Sequence, residues 1–227
     1  MPEIILAALN SKYIHCAFGL RYLYANLGEL QQKAEIYEFT IHERALDVVE
    51  KLLAKQPQII GFSVYIWNVT EVGHCVKLLK QIAPQVKIVV GGPEVSHYPD
   101  VPDWFSQVDF CITGAGEVQF KSLCQQLLNQ QQPLEKVIAG IEVPLEQLNM
   151  PYEFYNDEDI KNRIIYVEAS RGCPFKCEFC LSSLDKTSKS FSIELFLQEM
   201  DKLIQRGANH FKFIDRTFNL KVKTTVA

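Results

Sequence analysis

The sequence gathers no run of lysine or arginine, and its formal net charge is −4. Nucleic-acid-binding proteins carry a basic excess, so this balance speaks against that class of partner. A secretory leader is also missing: Met1-Pro2-Glu3 passes straight into Ile4-Ile5-Leu6, with no basic stretch and no small-residue cleavage site. The longest uncharged run around the most apolar segment, Gln56 to Thr70, contains Gln, Ser, Asn and Gly. It falls short of the roughly 18 apolar residues a membrane helix needs. A cytoplasmic protein with no membrane partner is the simplest reading. No internal repeat or low-complexity tract stands out, and the glutamines between Gln125 and Gln132 read as a solvated helix end.

What is present is the composition of a globular chain: 227 residues, 48% hydrophobic and 22% charged. That suffices to bury a core in one or two domains. Residues 1–139 alternate strand-like and helix-like segments, the pattern of a doubly wound, Rossmann-like α/β domain with a parallel sheet. Ile4 to Leu9 is continuously apolar, as a strand buried on both faces should be. Further strands are expected at Glu35 to Ile41, Ile59 to Tyr65, Val86 to Val90 and Asp109 to Thr113. Helices are expected at Gly19 to Leu30 and Ala45 to Lys55. A third is expected from Asn68, which is placed to cap it in a capping box with Glu71, and a fourth carries Phe120, Leu123, Cys124, Leu127 and Leu128 on one stripe. Residues 140–163 break this rhythm with Pro144, Pro151 and an acidic stretch, and read as a linker. Residues 164–227 start a second domain: a strand from Ile164 to Ala169, a helix capped by Ser192, and a strand from His210 to Ile214 ending in Asp215.

Seven cysteines are unevenly placed. Cys16, Cys75, Cys111 and Cys124 are scattered, whereas Cys173, Cys177 and Cys180 share one short loop between a strand and a helix. In a reducing compartment disulfides are not expected. Three thiolates on one loop can hold three corners of an iron–sulfur cube and leave a fourth iron open for a substrate. Structural zinc normally takes four ligands, and the next candidate, His210, falls on a predicted strand. Buried structural cysteines are the remaining alternative.

The stretch Arg171-Gly172-Cys173-Pro174-Phe175-Lys176-Cys177-Glu178-Phe179-Cys180 resembles the signature of the radical S-adenosylmethionine superfamily. The resemblance implies a 4Fe–4S cluster on Cys173, Cys177 and Cys180, with S-adenosylmethionine chelated by the open iron and cleaved reductively to a 5′-deoxyadenosyl radical. It places Phe179 near the adenine, and Asp215 and Asn219 near the methionine amino end. The family's usual Gly-Gly-Glu is replaced here by Asp215-Arg216-Thr217-Phe218-Asn219, and Asn219 could equally cap a helix. An α/β domain ahead of such a loop is similar to the cobalamin-binding branch of the superfamily. Cobalamin would then lie beyond the strand ends, along Asn10, Ser63, Gly91, Gly92, Pro93, Gly114 and Gly116. The plain alternative is that these glycines only make turns. The family's frequent Asp-x-His-x-x-Gly is not matched, because Tyr13, His15 and Gly19 stand in that region, so cobalamin is expected without His15 as a cobalt ligand.

The resemblance implies an enzyme that methylates or rearranges an unreactive carbon, a substrate the sequence does not identify, and a reducing electron donor such as flavodoxin or ferredoxin. Residues 164–227 supply only two strands and one helix of a partial barrel. A piece of about 60 residues buries only ~60% of its unfolded surface. The chain is therefore expected to be truncated within this domain and to lack full catalytic activity. Two other functions stay open: an RNA methylthiotransferase with a second cluster, and a non-catalytic cobalamin-binding or sensing module with a vestigial cluster loop. About eight, four or no irons per chain separate the three.

Overall fold

The computed structural model describes residues 1–97, 99–131, 133–180 and 188–217. It divides into two compact units, Met1–Glu142 and Val143–Ala227. In the first, strands β1 (Ile4–Asn10), β2 (Ala34–Thr40), β3 (Ile59–Ser63), β4 (Lys87–Gly91), β5 (Phe110–Thr113) and β6 (Val137–Ala139) form one parallel sheet in the order β2-β1-β3-β4-β5-β6. Helices α1 (Phe18–Ala25), α2 (Ala45–Leu53), α3 (Val69–Ile82) and α4 (Glu117–Leu128) connect them. Strand β1 shows why the sheet is sandwiched. Ile5, Ala7 and Leu9 enter the core under α2 and α3, with Val48, Leu52, Val76 and Leu79, whereas Ile4, Leu6 and Ala8 enter the core under α1 and α4, with Leu20, Phe120 and Leu123. Alternate side chains of a strand point to opposite faces, so an unbroken apolar run requires cover on both. The Rossmann-like reading holds.

Several details differ from the expectations. The sheet has a sixth strand, β6, pairing Cys111 with Val137 through Thr113 with Ala139. The first helix stops at Ala25 instead of Leu30, because Gly28 turns to φ +57° and the chain tightens into a 3-10 segment, Gly28–Lys33. The Asn68 carboxamide does not cap α3. Its Oδ1 accepts from the Tyr65 amide at 2.8 Å, and its Nδ2 donates to the Leu9 carbonyl at 3.0 Å and the Ser63 carbonyl at 3.1 Å. This turn ends β3 at Ser63 rather than Tyr65.

In the second unit, β7 (Ile165–Val167) pairs in parallel with β10 (Phe211–Phe213), and α6 (Ile193–Gln205) packs nearby through Phe196. Ser192 caps α6 as expected, accepting from the Leu195 amide at 3.3 Å. A second ribbon, β8 (Ser170–Gly172) against β9 (Ser188–Ser190), is antiparallel. The stretch read as a linker is folded from Val143 onward. Asn156 and Asp159 close a capping box on α5 (Asp157–Asn162). Tyr152 and Tyr155 are almost fully buried, at 1% and 0% exposure. The Tyr155 hydroxyl donates to the Tyr166 carbonyl at 2.8 Å, and the Tyr152 hydroxyl donates to the Glu168 carbonyl and accepts from the Glu168 amide, both at 3.1 Å. Two tyrosines thus satisfy backbone groups of β7 and its continuation.

Candidate functional site

In an open parallel sheet the ligand crevice lies beyond the carboxyl ends of the strands, where the winding reverses. Here the reversal falls between β1 and β3. Asn10 ends β1, Ser63 ends β3, Gly91 ends β4, and Gly114 follows β5. All seven predicted cobalamin residues therefore gather along one edge of the first unit's sheet. Asn68, which sequence reasoning took for a helix cap, bridges the β1 and β3 ends beneath that edge. Only a contact between Leu9 and a residue 59 positions later shows this role, and nothing local in the sequence marks it.

The glycines divide by cause. A Cβ on Gly92, at φ +115°, would sit 2.4 Å from the Val64 carbonyl oxygen, so the fold itself demands glycine there. Gly91 is tight against the Ile112 carbonyl, at 3.2 Å. Gly114, at φ +69°, differs: a Cβ there would meet nothing within 4 Å, so its backbone faces open space. Gly116 lies 3.3 Å from the Leu23 side chain by the same measure. Gly140 was missed by the sequence reading, and its Cβ would strike the Ala115 and Thr113 carbonyls at 2.2 and 2.4 Å.

Asn10 is already engaged. Its Nδ2 donates to the His15 carbonyl at 2.8 Å and to Glu38 Oε1 at 3.2 Å. Glu38 in turn pairs with the buried Arg21 at 2.9 Å and accepts from the Ala17 amide. This network holds the loop after β1, including Tyr13 and Ile14, which are 52% and 43% exposed. Across the crevice, Ile66 and Trp67 are 75% and 45% exposed, and Tyr65 stacks on Trp67 with centroids 4.5 Å apart. A large macrocycle with apolar faces and a nucleotide tail fits this edge: exposed aromatic and aliphatic surface beside the switch point, and the open backbone of Gly114 at the end of β5 on the same edge of the sheet.

The second unit supplies the thiols. Cys173 is buried, Cys180 half-buried and Cys177 exposed. They share one loop, and the Cys180 amide donates to the Cys177 carbonyl at 3.1 Å. Phe179 is 95% exposed. The loop's root is held firmly: the β8–β9 ribbon flanks it, Arg171 pairs with Glu168 at 2.9 Å, and the Arg171 guanidinium lies over the Phe191 ring. Asp215 stands at the end of β10, where its carboxylate accepts from the Ala169 amide at 3.0 Å and from Ser170 Oγ at 2.6 Å. Sequence reasoning placed this residue but missed those partners. Asn219 lies outside the described residues. The donor chemistry fits an iron–sulfur cluster: three thiols on one loop, anchored at a strand end.

The other cysteines lie elsewhere. Cys75 is inside α3, Cys111 inside β5 and Cys124 inside α4, all at 0% exposure. Burial pushes the Cys75 thiol up to about 12 and the Cys111 thiol up to about 11, and raises Cys124 further.

A family profile described as the B12 binding domain matches residues 4–123. An uncharacterised methyltransferase of Pyrococcus horikoshii is 25% identical over 92% of this chain and 50% of its own length. TokK, a cobalamin-dependent radical SAM methyltransferase of Streptomyces tokunonensis, is 25% identical over 96% of this chain and 36% of its own length. The chain thus spans half or less of these curated relatives. Among solved structures, OxsB, a cobalamin-dependent S-adenosylmethionine radical enzyme with aqua-cobalamin bound, superposes with a TM-score of 0.75 at 19% identity, over 96% of this chain and 34% of that one. TsrM, a radical S-adenosylmethionine methyltransferase from Kitasatospora setae with cobalamin and a [4Fe-4S] cluster bound, gives 0.72 at 14% identity, over 99% of this chain and 50% of that one. These two likenesses concern the fold.

Proposed function

This chain belongs to the B12-binding domain family, and on that premise we propose that it is the cofactor-binding part of a cobalamin-dependent radical S-adenosylmethionine enzyme. The observation that carries the reading is the pairing of two sites in one chain. In the B12-binding unit, glycines at the ends of β4 and β5 lie on the same sheet edge as the switch point, and a three-cysteine loop is rooted at the end of β7 in the second unit. When bound, the cluster supplies the electron that cleaves S-adenosylmethionine, and cobalamin supplies a cobalt centre for methylation or rearrangement of a carbon.

The chain's own residues do the holding. Cys173, Cys177 and Cys180 would ligate iron. Phe179, almost fully exposed, is free to cover an adenine. Asn10, Ser63, Gly91, Gly92, Pro93, Gly114 and Gly116 would line the cobalamin nucleotide, with Gly114 admitting the closest approach. Methyltransferase relatives favour methylation as the reaction. The substrate and a flavodoxin- or ferredoxin-like reductant complete the proposal. Among the described residues no helix is long and apolar enough to cross a membrane, and a reducing cytoplasm is part of the proposal. A second cluster of the methylthiotransferase kind finds no support, since Cys75, Cys111 and Cys124 are core residues of a strand and two helices.

Equilibrium titration with hydroxocobalamin, followed by its absorbance, tests the first half. Micromolar binding is expected, and none at that concentration would sink it. Electron paramagnetic resonance of the anaerobically reconstituted protein tests the second: a reduced 4Fe–4S signal should change when S-adenosylmethionine is added.

A further inference from the structure

Cys173 differs from its two partners in being buried, and its sulfur has a neighbour from a distant part of the chain. Thr217 Oγ1 lies 3.1 Å from Cys173 Sγ, across 44 residues of sequence. The placement is not accidental to the fold. The Ile214 amide donates to the Val167 carbonyl at 2.9 Å. Asp215 then binds the Ala169 amide and the Ser170 hydroxyl through its two carboxylate oxygens. The end of β10 is therefore stapled to the residues just before the cysteine loop, and Thr217 is delivered opposite Cys173.

In the free protein either the thiol or the hydroxyl can donate in this contact. Ligation to iron removes the choice, because a metal-bound cysteine has lost its proton and can only accept. The Thr217 hydroxyl then donates to the sulfur, a hydrogen bond strengthened by the negative charge on the acceptor. Hydrogen bonds to cluster sulfurs are among the levers that set a cluster's reduction potential. A donor favours the more negative, reduced state and so raises the potential.

We infer that Thr217 is a positioning and tuning residue for the cluster, donating a hydrogen bond to Cys173 Sγ and easing reduction, with Asp215 fixing its place. The inference rests on the reading that Cys173, Cys177 and Cys180 hold a 4Fe–4S cluster. It assigns Thr217 a role that the cysteine spacing does not imply.

The test compares the wild-type chain with Thr217→Val, which keeps the shape and removes the hydroxyl, and Thr217→Ser, which keeps the hydroxyl. Each is reconstituted anaerobically with iron and sulfide. Iron per chain is measured, and the midpoint potential is read by redox titration monitored by electron paramagnetic resonance. A more negative midpoint in Thr217→Val, with the Thr217→Ser value returning to that of wild type, is the expected result. Loss of iron in the valine variant alone, with full iron in the serine variant, would also support the hydroxyl's role. Equal midpoints in all three, with about four irons each, would overturn the inference while leaving the cluster reading intact. A wild-type chain that takes up no iron would overturn the cluster reading itself, and the inference with it.

Discussion

The two units use cysteine in opposite ways. In the first, Cys75, Cys111 and Cys124 sit inside two helices and a strand, fully covered, with thiols that burial holds protonated. In the second, Cys173, Cys177 and Cys180 occupy one loop and run from buried to exposed. The same side chain is a small apolar packing unit in one place and a candidate iron ligand in the other. The difference lies in what surrounds it. Apolar neighbours at helical or strand spacing make it core, while Gly172, Pro174 and Lys176 keep the second group on a loop where it can meet a metal. The first unit offers its ligand open backbone and aromatic surface, and the second offers donor atoms.

Breaking the contrast at its sharpest point means removing an exposed thiol. Cys177→Ala should drop reconstituted iron from about four per chain to near zero while leaving the first unit's stability and its hydroxocobalamin binding unchanged. Retained iron would show that the triad is not the ligand set. The next effect is on the glycines. Gly92→Ala forces a Cβ onto the Val64 carbonyl at a φ that L-residues avoid, and should destabilise the first unit by about 2–4 kcal/mol in denaturant unfolding. Gly114→Leu faces open space, so its cost should be only about 1–2 kcal/mol. Its hydroxocobalamin affinity should nevertheless fall by about tenfold or more, about 1.4 kcal/mol. Similar affinities for wild type and Gly114→Leu would mean that Gly114 only makes a turn.

Smaller effects sharpen the same comparison. Tyr155→Phe leaves the Tyr166 carbonyl without its hydroxyl donor and should cost about 1–2 kcal/mol, read as earlier unfolding of the second unit by hydrogen exchange in β7. The buried thiols predict a pH dependence. Cys75 and Cys111 are pushed up from 9.0 to about 12 and about 11 by burial. Once unfolded, these thiols ionise near their ordinary value, so the unfolded chain binds fewer protons than the folded one above pH 9. Their contribution to stability is therefore full below about pH 9 and is lost as pH rises toward 11 and 12. Alkylation at pH 8 should accordingly mark Cys177 well before Cys75 or Cys111, measured by mass spectrometry of the intact fold.

Much of the fold was legible where burial is two-sided. The apolar run of β1 and the stripes of α3 and α4 follow from periodicity alone. Strand β6 was not, because Val137–Ala139 is three residues long and partly exposed. The β8–β9 ribbon escaped as well, since Ser188-Lys189-Ser190 is polar and exposed and pairs only through its backbone. Tyr152 and Tyr155 were hidden in a stretch whose prolines and acidic residues read as a linker, and only long-range contacts show them as buried supports of β7. At the sites, the cysteine spacing and the strand-end glycines could be read directly. The contacts of Asn68 with Leu9, of Asp215 with Ala169 and Ser170, and of Thr217 with Cys173 could not, because each joins residues far apart in sequence.

The most direct test of the two-site account is elemental analysis of one sample: the chain reconstituted anaerobically with iron and sulfide, incubated with hydroxocobalamin, and freed of unbound cofactor. The account predicts about one cobalt and about four irons per chain. Iron without cobalt, or cobalt without iron, would contradict it by removing one of the two sites.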